Sequence, residues 1–544
     1  MKKFNLNILI AGALAFGLFS SCSDSFLNSV PKKSLLDENF YKTEADAEMA
    51  LVGCYDGYQI TSTEFSIYSA ATVASDECFG GVGANDRRRY QLIDHLDKSQ
   101  DEDNNIFNDT WVLYYTGIYR CNNLLQKLPT IASWKSTKDS VNTITKNRIE
   151  GETRFLRALM YFDLVRLFEN IPLLTIPSKD IIPQANPSDV YKLIASDLTF
   201  AAKNIPANAY PKAQAATNDG RVTRYAAEAL LARVYLFYTG YYAKDDLGVT
   251  KPEVLAGLED VITSNEFDTI PYKKLWPAAS YIPVPATNTL DKSGFAGKGN
   301  KEVVFAQKFN GTQDYSGNTD GNGWIKMVGM RGCNFSPYGQ GWGAMTVNPQ
   351  LVYAYPSGDK RRTASVIDLL GEGIESTFKK ADQREYTGFT VKKYSPTCLP
   401  DGTSDTGGSK DFQISQDQDY VVIRYADVLL MAAELGSSNA VAYFNKVHQR
   451  AGLPAVTSVS ESDILNERRF EFAFEGIRYY DLLRTGIDNT ANAIAASAQT
   501  VKSAGIDDKI TYDVTKIKAT RGFMPIPNTQ ITLSGGALKQ NQNW

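Results

Sequence analysis

Residues 152–168 read ETRFLRALMYFDLVRLF, and within them Phe155, Leu159, Phe162 and Val165 recur at intervals of three and four. That period puts them on one face of an α-helix, predicted from about Lys146 to Phe168, with Pro172 just past its end. The pattern returns 76 residues on: Glu152 and Arg157 have counterparts in Glu228 and Arg233 of EALLARVYLF, residues 228–237. A tetratricopeptide unit is about 34 residues, so the offset is near two units plus loop insertions. Repeated helix pairs with wide apolar faces suit a right-handed helical stack better than a compact bundle of this size. The expected fold is therefore mainly α, tetratricopeptide-like.

Helix punctuation flanks that stretch on both sides. Thr43 is an N-cap candidate with Asp46 three residues later, and Asn186, Pro187 and Asp189 open another helix with Pro at its first position. The Ala-rich run from Arg224 to Tyr238 carries Ala226, Ala229 and Ala232, small enough to let a neighbour approach closely. Further helices are predicted near Asn105 to Lys127, Pro252 to Ser264, Tyr420 to Glu434, Asn439 to Arg450 and Ser462 to Leu483. The stack then occupies about 34–264 and 420–483, interrupted by an irregular, loop-rich capping insert at about 270–415 and followed by a C-terminal segment, 484–544. The insert is marked by composition. Between Gly294 and Gly358 stand 13 of the 40 Gly, where uniform use gives about 5, together with Tyr315, Trp324, Tyr338, Trp342, Tyr353 and Tyr355. Helices rarely tolerate that much Gly, so loops and short β-strands are expected, Val303 to Phe309 among them. A second loop, roughly Ser75 to Lys98, combines Phe79, Gly80, Gly81, Gly83 and Tyr90 with Asn85, Asp86 and Arg87 to Arg89.

The chain has 544 residues, 57 basic against 61 acidic, and a formal net charge of -4. No basic surplus is available for phosphate neutralisation, which argues against nucleic-acid binding. Only two His occur, His95 and His448, far apart in sequence, so a His-based zinc site or catalytic relay finds little to build on. The start reads as a secretory leader: Lys2 and Lys3, an apolar run from Ile8 to Phe19, then Ser20 and Ser21 before Cys22. That run is too short to span a bilayer, which takes about 20 apolar residues. A Cys after two small residues resembles a bacterial lipobox, so cleavage after residue 21 and acylation of Cys22 are expected, with 22–33 as a linker to the folded body. Two or three acyl chains, at roughly 0.8 kcal/mol per buried CH2, tether a protein without a spanning segment. The other five Cys, at 54, 78, 121, 333 and 398, form an odd, irregularly spaced set that suits buried free thiols.

Several segments together resemble a known family. ETRFLRALMYFDLVRLFENIPLL, VIRYADVLLMAAEL, FNKVHQRAGLP, ERRFEFAFEGIRYYDLLRTG and the terminal MPIPNTQITLSGGALKQNQNW, with CSDSFLNSVPKKSL and NPQLVYAYPSGDKRR, are similar in order to signatures of the SusD/RagB family of outer-membrane lipoproteins. Departures are Glu169 where Gly is usual, His448 where Arg is usual, and the QNQNW ending. The resemblance implies a cell-surface, non-catalytic binding protein without a cofactor. It would be lipid-anchored in the outer membrane as a lid on a SusC-like TonB-dependent transporter, capturing oligosaccharides for import. A peptide-binding or structural lid is the alternative.

The residues themselves agree with capture. A sugar ring exposes C–H faces and hydroxyl edges, so its site needs flat aromatic platforms bordered by Asn, Asp, Arg or Gln. The candidates are Phe79, Asn85, Asp86, Arg88 and Tyr90 from the first loop and Trp324, Tyr338 and Trp342 from the second; the two Trp could instead fill a small core of the cap. No metal ligands are assigned. Glu467, Glu471 and Glu475 repeat every four residues, roughly 6 Å apart, which raises a glycosidase; but they share one helix face among Arg468, Arg469 and Arg478, which favours ion pairing. Gly294, Gly297 and Gly299 with Lys298 lack the G-K-[ST] of a phosphate loop. Asp101, Asp103 and Asn105 start like a calcium loop, but Ile106 stands at the required Gly and Val112 at the bidentate Glu.

Overall fold

A computed structural model describes residues 40–59, 64–178, 180–210 and 220–544; the expected leader, Cys22 and the 22–33 linker lie outside them. Ten helices of ten or more residues occur among the described residues: α1 (Glu44–Asp56), α2 (Asn108–Lys127), α3 (Asp139–Phe168), α4 (Pro187–Asn204), α5 (Arg224–Tyr242), α6 (Lys251–Thr263), α7 (Tyr425–Glu434), α8 (Ala440–Arg450), α9 (Glu461–Glu471) and α10 (Ile487–Ala496). None of the described helices is long and apolar enough to cross a membrane.

Local chemistry starts these helices where the sequence indicates. Thr43 and Asp46 close a capping box on α1, and the Asn186 side chain accepts from the Ser188 amide with Pro187 at the first position of α4. α3 begins seven residues before its predicted start, because its first turns are half or fully exposed and their two apolar residues, Val141 and Ile144, face solvent and not the core.

Each of α1 to α8 packs on the next, and α6 meets α7 although some 160 residues separate them in the chain. The insert therefore interrupts the sequence but not the stack. Where α1 ends against α2 the backbones almost touch: a Cβ on Gly57 would lie 2.6 Å from the Gly117 Cα. The 76-residue echo is structural too. Arg148 pairs with Glu152 and Arg224 with Glu228 one turn on, while Arg157 reaches Asp197 on α4 and Arg233 reaches Asp427 on α7.

Two predicted helices are corrected. Residues 420–424 form a strand that pairs antiparallel with Val303–Gln307, because Val421, Val422 and Ile423 are β-branched and the insert offers a free edge. Residues 462–483 are not continuous either: α9 ends at Glu471, Phe474 and Gly476 take positive φ, and a short helix, Arg478–Leu483, follows.

The insert's main sheet is antiparallel, in the order Cys78–Gly80, Met345–Val347, Phe389–Val391, Val366–Asp368. Its first strand comes from the first loop, which ties that loop to the insert. The C-terminal hairpin, Thr500–Ser503 with Ile506–Lys509, joins the same region through backbone bonds between Tyr386 and Lys502. One continuous apolar core runs through the stack, and a smaller one around Met330, Ile367 and Phe378 serves the insert. Cys54, Cys78, Cys121, Cys333 and Cys398 are buried free thiols.

Candidate functional site

The first loop turns tightly at Gly83, whose amide donates to the Asp86 carboxylate at 2.8 Å. This turn carries Asn85 and Asp86 to the surface, where both are exposed. Arg331, from the second loop, stands 3.5 Å from the same carboxylate and donates to the Trp342 carbonyl at 3.5 Å. The half-exposed Trp342 ring lies 4.9 Å from the Lys326 ammonium. Burial lowers the Lys326 pKa, against the pull of Glu64 and Asp411. Burial raises that of Glu64, against Arg89 and the Tyr90 hydroxyl. Asp411 in turn accepts from the hydroxyl of Tyr315, a ring 73% exposed, at 2.5 Å. Contacts thus join Asp86, Arg331, Trp342 and Lys326, and Glu64 and the Asp411–Tyr315 pair lie within electrostatic reach of Lys326. This surface offers the exposed Tyr315 ring and the half-buried Trp342 ring, bordered by charged groups of both signs.

The structure divides the sequence candidates. Asn85, Asp86 and Trp342 belong to this surface. Four aromatics are corrected, because a ring without a free face cannot serve as a platform. Phe79 is buried with Val501 and Ile510. Tyr90 packs on Phe65 and bonds Glu64 through its hydroxyl. Trp324, 1% exposed, stands edge-on to Tyr68 and Tyr420. Tyr338 turns into the insert's own core and donates to Glu372 at 2.6 Å. Arg88 is exposed and donates to Gln100 at 2.9 Å, and among the described residues no contact joins it to Trp342 or Tyr315. Lys326, Arg331, Glu64 and Asp411 gave no sequence signal, since only their juxtaposition distinguishes them; Tyr315 had one, as an aromatic in the Gly-rich stretch.

The remaining motifs resolve into ion pairs. Arg87 holds Asp101, and Arg89 holds Asp103 at 2.9 Å, so those carboxylates are already neutralised. Lys298 faces Asp417 and Asp419 rather than a phosphate cradle. Glu467, Glu471 and Glu475 are buried in a network with Arg361, Lys393, Arg424, Arg450 and His448. Glu471 is held by three arginines and Glu475 by Arg424 and Lys393, and no substrate can reach carboxylates enclosed in this way.

Comparison with known proteins places the whole chain. The model of the SusD family matches residues 370–544, and one described as starch-binding associating with outer membrane matches residues 26–236. A SusD-like protein of Bacteroides ovatus is 23% identical over 89% of this chain and 83% of its own length. SusD-like protein P2 of Formosa agariphila is 24% identical over the full length of both. Among solved structures, a laminarin binding SusD-like protein superposes with a TM-score of 0.70 at 26% identity, covering 93% of this chain and 100% of that one. Surface glycan-binding protein A from Bacteroides thetaiotaomicron, in complex with laminarihexaose, does so with a TM-score of 0.71 at 20% identity, covering 92% and 100%. With two family models matching well over half its length and relatives aligned end to end, the chain belongs to the SusD family.

Proposed function

We propose that the protein is a lipid-anchored, cell-surface binding protein that captures an oligosaccharide at the Trp342–Tyr315 surface. It hands the ligand to a SusC-like TonB-dependent transporter in the outer membrane, with Cys22 as the acylated residue. The observation that carries the reading is the exposed Tyr315 ring and the half-buried Trp342 ring, bordered by Asp411 and by Asp86, Arg331 and Lys326, on loops beside the helical stack. Rings supply the C–H contacts and the charged border supplies hydroxyl partners. The laminarin binding SusD-like protein, and the like-folded surface glycan-binding protein in complex with laminarihexaose, support a glycan, and laminarihexaose is the first ligand to test. Binding without turnover is part of this proposal, and it is supported by the enclosure of Glu471, the centre of the carboxylate ladder, among arginines.

Each ring contributes about 0.5–1.5 kcal/mol, which after ordering costs places affinity between about millimolar and micromolar. Calorimetry of the full chain with laminarihexaose and a panel of other glycans and peptides tests this. Trp342→Ala is expected to weaken binding about two- to tenfold, and Trp324→Phe to leave it unchanged. Unaltered affinity in a folded Trp342→Ala variant removes this surface from the ligand, and binding of peptides but of no glycan refutes the carbohydrate reading.

A further inference from the structure

Three segments remote in sequence converge behind the first loop. The short helix Arg89–His95 ends on Asp94 and His95; Glu385 comes from the insert; Tyr512 comes from the C-terminal segment. One atom each of Asp94, His95 and Glu385 can be chosen so that all three lie within 4.8 Å of one another. Asp94 and Glu385 are 0% exposed, and His95 is half-buried. Neither carboxylate oxygen of Glu385 has a hydrogen-bond partner, and neither has Nε2 of His95. Two buried carboxyls side by side, one of them wholly unpartnered, cannot both stand ionised in an interior without something that neutralises them.

A proton or a cation can do this, and the unpartnered imidazole nitrogen of His95 favours a cation. A proton shared by the carboxyls leaves the imidazole nitrogen unaddressed, whereas a cation satisfies all three groups at once. Burial raises the pKa of both carboxyls, with the Asp94 charge adding at Glu385, and this is the cost that either a proton or a cation would relieve. Burial, with the Arg88 charge, brings His95 down to about 4, so its imidazole is neutral at pH 7 and its lone pair is free to ligate. Arg88 and Lys516 bring positive charge to this neighbourhood, offset by Asp97 and Asp508.

We propose that Asp94, His95 and Glu385 bind one divalent first-row transition cation of the zinc class. One imidazole nitrogen with two carboxylate oxygens is a donor set such ions accept, at about 2.0–2.2 Å each, which sets the ligand atoms roughly 3.4 Å apart, so binding would draw the three side chains together from their spacing of up to 4.8 Å. Calcium takes six to eight oxygens, which three side chains including an imidazole do not provide. The supporting shell is in place. Tyr512 donates its hydroxyl to Asp94 Oδ1 at 2.9 Å and lays its ring 4.9 Å from that of His95, fixing both ligands. His95 and Tyr512 also line a surface recess with Asp97 and Asp508, and with Arg88, Lys509 and Lys516, so the His95 edge of the cluster faces solvent. The site's consequence lies one residue away. Arg384 donates to the backbone carbonyls of Ala84, Asp86 and Arg87, so the cation would clasp the base of the first loop to the insert and the C-terminal hairpin.

The test uses the full chain purified in detergent, stripped with a chelator and titrated with zinc chloride; no glycan is needed, so the outcome is independent of the capture reading. One equivalent of zinc should bind at micromolar affinity or tighter, release protons, and raise the melting temperature by about 2 °C or more. Cobalt(II) in its place should give a visible absorption band. His95→Asn and Glu385→Gln should each weaken zinc binding at least tenfold. If Glu385→Gln does not fold, the wild-type stoichiometry, the cobalt band and the His95→Asn titration decide. Absence of stoichiometric zinc in the wild type, full retention by the folded variants, or preference for calcium overturns the proposal. So does a Glu385→Gln chain that melts higher than a wild type indifferent to zinc, the behaviour of carboxyls neutralised by a proton.

Discussion

Replacing Glu471 by Gln keeps the shape of a fully buried side chain and removes its charge. One carboxylate oxygen accepts from Arg424 at 2.9 Å and from Arg450; the other accepts from Arg361 at 3.3 Å. Burial disfavours the charge, but the attraction of Arg450, Arg424 and Arg361 outweighs it and holds the carboxyl well below its ordinary range. A glutamine has one oxygen, so whichever way the amide is turned its NH2 faces a guanidinium that can only donate. Breaking one member out of a buried ionic network costs about 3–5 kcal/mol, a large part of the ~5–15 kcal/mol that holds a domain folded. Because the folded pKa lies below the unfolded value of 4.5, the stabilisation is complete above about pH 4.5 and is lost as the pH falls further. Urea unfolding of wild type and Glu471→Gln should therefore show a gap of about 3–5 kcal/mol at pH 7 that narrows below about pH 4. A gap under about 1 kcal/mol at pH 7, or one that widens in acid, refutes the account of the network as a structural keystone.

Two further substitutions test the packing and the buried acids. Gly117→Ala should destabilise by about 1–3 kcal/mol in thermal unfolding, although Ala is the better helix residue, because the new methyl would meet Met160 Sδ at 2.4 Å and the Gly57 carbonyl oxygen at 2.7 Å; equal or greater stability would contradict the close crossing of α1 and α2. Glu77 is fully buried, accepts from the Phe474 amide at 3.0 Å through one oxygen and leaves the other unpartnered, and burial pushes its carboxyl up to about 8. Its folded pKa exceeds the unfolded 4.5, so the folded chain holds the extra proton and wild-type stability falls as the pH rises from about 4.5 to 8. Glu77→Gln lacks that fall and should overtake the wild type by about 2 kcal/mol or more at pH 8 while differing little at pH 5; a pH-independent difference would show that Glu77 is ionised throughout.

Much of the stack was legible because its signals are local. A 3.6-residue period, an N-cap with an acid three residues on, and Pro at a first helical position act within one or two turns, so α1, α3 and α4 can be read without knowing what they touch. Residues 420–424 misled for the converse reason: a β-branched run next to a helix becomes a strand only because Val303–Gln307 lies alongside.

The sequence by itself determined the helical repeat, the glycine-rich interruption and the family, all carried by spacing along the chain. Tertiary structure alone decided which loop aromatics face outward. Trp324 and Trp342 sit 18 residues apart in similar company, yet the first is enclosed by Tyr68 and Tyr420 and the second stays half-open against Lys326. Only the fold, too, set Glu385 beside Asp94 and His95 across some 290 residues, and three arginines around Glu471. Exposure and charge are properties of a side chain's neighbours in space, and these neighbours come from segments whose distance along the chain leaves no periodic trace.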